Sequence, residues 1–259
     1  MAYKITYSGV SHIGKIRQKN QDNLICDRAF IPADAADWPF SLNGEKAAKD
    51  NLLVGVFDGM GGEECGEVAS NIAVQKASAL ALTRDPASAL LQLCQEVNTD
   101  LCSYVAEHGL SAMGTTAAML AFTGGGVTLC NIGDSKIFHY CEDRLEQISK
   151  DHLAPAPFGK KPPLLQNLGI PPTELLIDPY LAQGGYQEGD LYLLCSDGLT
   201  DMLTAEEIKE RLSAKMELKE IISDLLETAL SHGGRDNISI ILCKIERTSG
   251  WPFSLKHRK

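Results

Sequence analysis

Short apolar runs, each long enough for one buried strand, recur along most of the chain and are separated by turn residues. They occupy residues 24–26, 52–57, 115–122, 127–132, 136–141, 145–148, 191–195 and 238–245. Several of them begin or end at an aspartate, and the glycines at 124–126 stand between two of them. Short strands with turn residues at both ends predict a meander of antiparallel strands.

Helical periodicity marks other parts of the chain, where apolar residues recur on one face. The segments are 68–82, 90–105 and 218–230. Asp85 followed by Pro86 is typical of a helix start, and Gly109 is typical of a helix end. Thr204 and Glu207 have the spacing of a capping box. Because strands and helices do not alternate strictly, the pattern favours antiparallel sheets with helices packed on them, an α+β fold.

Two stretches lack both periodicities. Residues 31–50 are polar and rich in turn residues, and residues 154–172 contain six prolines. Long irregular segments in a compact domain often serve as lids or binding loops. The sequence shows neither an internal repeat nor a linker between domains. We therefore expect one catalytic domain over residues 1–247, with a surface insertion at 31–50, and a tail over residues 248–259.

The composition and net charge of the chain disfavour several classes of binding partner. The chain has 24 Lys and Arg against 34 Asp and Glu, a net charge of −10. This charge disfavours nucleic acids and anionic membrane surfaces as partners. No apolar run reaches the ~20 residues of a membrane span, and the first residues lack a signal peptide's apolar region, so we expect a cytoplasmic protein. None of the eight cysteines forms a CxxC pair, which indicates buried reduced thiols rather than a zinc or disulfide framework.

Four aspartates lie at the ends of predicted strands: Asp22, Asp58, Asp197 and Asp236. Each alone is explained as a turn residue, since Asp-Gly is a common turn pair. If the strands share one core, however, the four carboxylates converge at one end of it. Ionised carboxylates repel each other unless a cation lies between them. Oxygen ligands alone favour Mg²⁺ or Mn²⁺ over zinc or copper.

The glycine-rich loop over residues 58–62 does not match either common nucleotide-binding loop. It lacks the GK[ST] ending of a P-loop, and Glu64 occupies the position of the last glycine in GxGxxG. Glycine has no side chain to keep a ligand from the backbone. The loop is therefore consistent with a backbone carbonyl that approaches a cation.

Seven short motifs occur in order along the chain. They are RQKNQD (17–22), FDGMGG (57–62), MGTT (113–116), NIGDSK (131–136), DH (151–152), CSDGL (195–199) and GGRDN (233–237). Together they resemble the metal-dependent serine/threonine protein phosphatases of the 2C type in their bacterial form. The resemblance extends from about residue 9 to residue 245.

The resemblance implies a four-layer α-β-β-α sandwich, in which two antiparallel sheets are flanked by helices, with two Mn²⁺ or Mg²⁺ ions at one edge. It implies that Asp58 bridges both ions and that the Gly59 carbonyl binds the second. Asp197 and Asp236 would bind the first ion. Asp22 would hold a metal-bound water.

The implied reaction is hydrolysis of phosphoserine or phosphothreonine in proteins by a hydroxide that the two ions activate. Arg17 would bind the substrate phosphate, for which its planar guanidinium is suited. The resemblance further implies a monomer that opposes a bacterial Ser/Thr kinase.

The chain departs from the family at several points. Gln21 replaces a glutamate, which removes a charge near the second metal. No carboxylate lies closer upstream of MGTT than Glu107, so a third ion is not expected. The flap over residues 152–172 is short and rich in proline. Two alternatives remain open: a non-catalytic binding module with the same fold, and a hydrolase of small phosphoesters.

Overall fold

Two antiparallel β-sheets packed face to face form the centre of the protein. The computed structural model describes residues 2–33, 35, 39–60, 65–157 and 162–248. Helices cover the outer face of each sheet. The predicted α-β-β-α sandwich is confirmed. The last two residues of the FDGMGG motif, and the expected tail from residue 249 on, lie outside the described residues.

Thirteen strands and five α-helices make up the described part of the chain. The strands are β1 (Tyr3–His12), β2 (Asp22–Cys26), β3 (Ala29–Phe30), β4 (Phe40–Ala47), β5 (Leu52–Met60), β6 (Gly114–Thr115), β7 (Ala117–Thr123), β8 (Gly126–Ile132), β9 (Lys136–Cys141), β10 (Arg144–Gln147), β11 (Tyr180–Gly184), β12 (Leu191–Cys195) and β13 (Ile238–Arg247). The helices are α1 (Gly66–Ala79), α2 (Pro86–His108), α3 (Asp197–Thr200), α4 (Ala205–Leu212) and α5 (Leu218–Ser231).

One sheet has the strand order β10-β9-β12-β13-β1-β4, and the other has the order β11-β8-β7-β5-β2-β3. Strand β6 pairs with β5 beside the second sheet. All of these pairings are antiparallel. Strands β2 and β5 are therefore neighbours in one sheet, and β12 and β13 are neighbours in the other.

The apolar residues form three layers of core. The layer between the sheets includes Leu24, Val56, Tyr192 and Ile241. Helices α1 and α2 pack their apolar faces on the second sheet. Helices α4 and α5 pack on the first sheet. This arrangement buries both faces of the central strands, which explains why β5, β7 and β12 are continuously apolar.

The predicted helix ends are confirmed where a capping side chain or a glycine determines them. The side chain of Asp85 accepts a hydrogen bond from the Ser88 backbone N–H at 3.2 Å, and α2 ends at Gly109, whose φ is 63°. Thr204 and Glu207 form the predicted capping box of α4. The first predicted helix is too long, since α1 ends at Ala79.

The structure also differs from several sequence predictions. Residues 40–47, expected to be irregular, form β4, in which exposed residues alternate with half-buried ones because it is an edge strand paired only with β1. Strand β5 continues through Asp58 to Met60, because Asp58 pairs with Asp22 and the last residues pair with β6. The predicted strand over 115–122 is divided into β6 and β7.

The described part of the flap, residues 152–157 and 162–172, contains neither a helix nor a ladder strand. Two isolated bridges hold it, Leu153 with Leu164 and Thr115 with Leu168. The buried Asn98 of α2 accepts a hydrogen bond from the Gly169 backbone N–H at 2.7 Å. The end of the flap is thereby attached to the second sheet and its helix. Across the described residues, we find no helix with the length and apolarity that a membrane span requires.

Candidate metal centre

The four predicted aspartates meet at one edge of the sandwich. Asp22 begins β2 and Asp58 lies near the end of β5, and the two are direct partners across these strands. Asp197 follows β12, and Asp236 precedes β13, which pairs with β12. The Ser196 hydroxyl donates a hydrogen bond to Asp22 Oδ2 at 2.7 Å and so connects the two sheets at this edge.

The carboxylates strongly influence one another. Loss of hydration raises the pKa of Asp58 well above its ordinary value, and the charges of Asp22 and Asp197 raise it further. Burial raises the pKa of Asp22 to about 7, and the charges of Asp197 and Asp236 contribute to the rise. The ionised cluster is thus unstable in the absence of a cation.

The donor set fits the predicted ions. Its side-chain donors are carboxylate oxygens, which are preferred by Mg²⁺ and Mn²⁺. Two of the aspartates, Asp22 and Asp197, are less than a tenth exposed, at 4% and 8%. A divalent ion offsets the repulsion that raises the pKa of Asp22 and Asp58, so the residues present suit such an ion.

Hydrogen bonds to the backbone fix the position of Asp58. Its N–H donates to Thr116 Oγ1 at 3.0 Å, and its carbonyl accepts from the Thr116 N–H at 2.9 Å. The Thr116 hydroxyl also bonds to the Ser135 hydroxyl at 2.7 Å, and both residues are buried. The MGTT and NIGDSK motifs therefore serve to hold the end of β5.

Close backbone packing requires glycine at two positions beside the aspartates. A Cβ on Gly59 would lie 2.0 Å from the Gly66 carbonyl oxygen. A Cβ on Gly198 would lie 2.0 Å from the Asn237 carbonyl oxygen. No real side chain tolerates such distances. The glycines after Asp58 and Asp197 let α1 and β13 approach the site closely.

The buried side chain of Asn237 holds the loop between β1 and β2. Its amide nitrogen donates to the carbonyls of Ile13 at 2.8 Å and Lys19 at 2.9 Å. Its oxygen accepts from the Gln21 backbone N–H at 2.8 Å. Because Asn237 follows Asp236 directly, the same turn positions both a candidate ligand and the loop that carries Arg17.

Arg17 lies at the rim of the cluster. Its guanidinium donates to Asp236 Oδ2 at 2.7 Å, and half of its side chain, 51%, is exposed. The hydrogen bond to Asp236 raises the pKa of Arg17, and the charges of Asp58 and Asp197 add to the effect. The positively charged guanidinium of Arg17 therefore faces Asp58, Asp197 and Asp236 from the solvent side.

The side chain of Gln21, which replaces a family glutamate, contacts the start of α1. Its side-chain amide donates to Glu67 Oε2 at 3.4 Å, and Glu67 also binds Lys19 at 2.7 Å. A Cβ on Gly66 would lie 2.6 Å from the Gln21 amide nitrogen. The substitution thus places a neutral amide in close contact with the first turn of α1.

Sequence reasoning did not assign roles to Asp134 and Ser196. Asp134 is 7% exposed, and its charge raises the pKa of Asp58. Both residues stand inside the recognised motifs NIGDSK and CSDGL, so the motifs were the signal that could have identified them.

The residues of the DH motif support the neighbouring strands. Asp151 forms an ion pair with Lys136, and His152 Nδ1 accepts from the Gly133 N–H at 3.2 Å.

Comparisons with known proteins agree with this geometry. A family model described as protein phosphatase 2C matches residues 41–156. Serine/threonine phosphatase stp of Listeria monocytogenes is 31% identical, over 91% of this chain and 94% of that protein. The crystal structure of the Mycobacterium tuberculosis serine/threonine phosphatase PstP/Ppp superposes with a TM-score of 0.78 at 27% identity, over 94% of this chain and 100% of that one.

A second solved structure holds metal ions. The catalytic domain of PstP in complex with two manganese ions superposes with a TM-score of 0.76 at 28% identity, over 95% of this chain and 100% of that one. The fold, the carboxylate edge and these likenesses define a metal-dependent serine/threonine protein phosphatase. The chain belongs to the protein phosphatase 2C family, in its bacterial form.

Proposed function

We propose that Asp58, Asp197 and Asp236, with the Gly59 carbonyl, hold two Mn²⁺ or Mg²⁺ ions, and that Asp22 holds a water bound to them. The convergence of these carboxylates at one edge, with the pKa of Asp58 raised by its neighbours, supports this assignment most directly. When bound, the ions lower the pKa of a shared water and offset the negative charge of the phosphate.

The protein's own residues prepare this edge. Ser196 donates to Asp22 Oδ2, and a hydrogen bond from the Ser239 side chain helps to hold the same carboxylate in place. The Thr116 hydrogen bonds keep Asp58 in place at the end of β5. Preorganised groups of this kind need no rearrangement during the reaction.

In this proposal Arg17 binds the substrate phosphate. Its planar guanidinium donates two hydrogen bonds to a phosphate, and charge-assisted bonds of this type are strong. In the absence of a substrate the guanidinium binds Asp236. Cations at the carboxylate edge would weaken this attraction and so leave the guanidinium available to bind a phosphate.

The substrates in this proposal are phosphoserine and phosphothreonine proteins produced by a Ser/Thr kinase of the same cell. We place the enzyme in the cytoplasm, as a monomer. All eight cysteines are free thiols, which suits a reducing compartment. The exposed position of the Arg17 side chain suits a protein segment as substrate.

The test is phosphate release from a phosphothreonine peptide, measured with Mn²⁺ and then with EDTA. Release that requires Mn²⁺ and is lost in Asp58→Asn supports the proposal. The same assay with p-nitrophenyl phosphate separates substrate classes. A strong preference for the small ester would favour a small-phosphoester hydrolase. Equal turnover in the wild type and in Asp58→Asn would refute the ligand assignment.

A further inference from the structure

A second cluster of metal-binding side chains lies away from the aspartate edge. A ring nitrogen of His139, Cys141 Sγ and a carboxylate oxygen of Asp190 all lie within 4.8 Å of one another. His139 and Cys141 are two residues apart on β9, so both side chains lie on the same face of the sheet. Asp190 directly precedes β12, which pairs with β9. The Tyr192 ring stacks on the His139 ring at 4.7 Å.

This cluster is distinct from the catalytic edge. Asp190 and Asp197 stand at opposite ends of β12. At about 3.3 Å per residue, they are roughly 20 Å apart. The cluster therefore contributes nothing to the coordination proposed for the phosphatase centre.

The three side chains interact with one another, since Asp190 hydrogen-bonds to Cys141 and pairs with His139, yet two buried polar atoms of the cluster make no hydrogen bond to any described residue. Asp190 is 2% exposed, and its Oδ1 has no hydrogen-bond partner in the described part of the chain. The same holds for His139 Nε2, which lies 3.3 Å from Asp190 Oδ2. A buried polar atom without a partner is costly, and a buried carboxylate especially so. A bound cation would satisfy both groups.

Neighbouring groups orient these donors. The Gln187 backbone N–H donates to Asp190 Oδ2 at 2.9 Å. The Gln187 side-chain amide donates to Cys141 Sγ at 3.0 Å. Hydrogen bonds to metal ligands fix the orientation of those ligands and raise the affinity of the site for its metal. The Cys141 side chain is only partly buried, which leaves a path for an ion from solvent.

We propose that His139, Cys141 and Asp190 form a zinc-binding site. A nitrogen, a sulfur and an oxygen donor suit Zn²⁺, whereas Mg²⁺ and Mn²⁺ prefer oxygen alone. Bonds of ~2.0–2.3 Å in a tetrahedral site place ligand atoms about 3.3–3.8 Å apart, close to the distance between His139 and Asp190. A water completes the site, and the Cys141 thiol loses its proton to solvent as the sulfur–zinc bond forms.

The test uses Co²⁺ as a probe for Zn²⁺ in the full chain. A bond between Co²⁺ and a thiolate gives a charge-transfer absorption band in the near ultraviolet, and the proposed phosphatase centre contains no cysteine. We expect saturating Co²⁺, enough to fill the proposed phosphatase centre as well, to give this band and Zn²⁺ to remove it. Cys141→Ser and His139→Gln lose the band, whereas Cys102→Ser, which removes a half-buried thiol on α2, retains it. A wild type without the band, or a Cys141→Ser protein with it, overturns the proposal.

A second measurement needs no variant. Zn²⁺ bound at this site slows alkylation of Cys141 at least about tenfold, because the sulfur is no longer a free thiolate. Mass spectrometry of the wild type follows each cysteine separately, and Cys102 serves as the internal control. An unchanged rate at Cys141 with saturating Zn²⁺ contradicts the site.

Discussion

In the function proposed for this phosphatase, the chemistry depends on aspartates that the fold holds close together against their mutual repulsion. Loss of hydration and the neighbouring charges both raise the pKa of Asp58 and of Asp22. Each carboxylate therefore favours protonation unless a cation is present. The same repulsion that disfavours the metal-free site gives the loaded site its affinity for divalent ions.

At Asp197, we expect substitution by asparagine to lower kcat/KM at least about a hundredfold, because one ligand charge is lost. The thermal midpoint of the metal-free protein should not fall, since one repelling charge is removed. Phosphopeptide turnover and a melting curve in EDTA measure the two effects. Full activity in Asp197→Asn would contradict its place in the centre.

Arg17→Lys tests the phosphate-binding role. Lysine keeps the positive charge but loses the planar pair of donors, so kcat/KM should fall about tenfold or more. Lys15, an exposed cation on the same loop, provides the matched control. Lys15→Ala should change kcat/KM less than about twofold. If Arg17→Lys lowered kcat/KM no more than Lys15→Ala does, the role of the planar guanidinium in phosphate binding would be wrong.

At the scale of elements, the sequence predicts structure that depends on nearby residues better than structure that depends on pairing between distant strands. The ends of α2 and α4 were predictable because a cap involves residues a few positions apart, such as Thr204 and Glu207. Neither β1 nor β4 was predicted. Strand β4 has no apolar run, and its residues alternate between exposed and half-buried positions. Its stability comes from pairing with β1, about 35 residues away, which no local window contains.

The loop between β1 and β2 depends on a single buried side chain. Asn237→Ala removes its hydrogen bonds to Ile13, Lys19 and Gln21 and leaves three partly buried backbone groups without this partner. We expect a loss of about 3 kcal/mol in the free energy of unfolding, and reduced turnover through displacement of Arg17.

Urea unfolding measures this loss. Asn43→Ala is the control, since Asn43 lies on the edge strand β4 and accepts a hydrogen bond from Ser8 of β1. It should cost about 1 kcal/mol and leave turnover unchanged. If Asn237→Ala were as stable and active as Asn43→Ala, the anchoring role would be wrong.

At the scale of the whole molecule, the site exists because the sandwich aligns four strand ends. The motifs indicated which aspartates to consider, and the strand ends indicated that they converge. The contributions of Asp134 and Ser196 depend on how the sheets stack, which sequence spacing does not determine. The cluster of His139, Cys141 and Asp190 likewise follows from the register of β9 with β12, and no spacing motif announces it.

The stability of the metal-free protein should depend on pH through Asp22. Its pKa rises from the ordinary 3.8 to about 7 on folding. Between these values the folded state binds a proton that the unfolded state has released. The free energy of unfolding in EDTA therefore falls as pH increases from about 4 to about 7.

Urea unfolding at about pH 5 and about pH 8 measures this dependence. Asp22→Asn should reduce the difference between the two pH values, and saturating Mn²⁺ should reduce it in the wild type. An equal difference in the wild type and in Asp22→Asn would exclude Asp22 as its source.

The most direct test of the account is calorimetric titration of the metal-free wild type and of Asp58→Asn with Mn²⁺. We predict two ions per chain for the wild type, because the proposed role of Asp58 is to bind both ions. We predict the loss of at least one ion in Asp58→Asn, together with the loss of turnover. Two ions bound by Asp58→Asn with wild-type affinity would contradict the account.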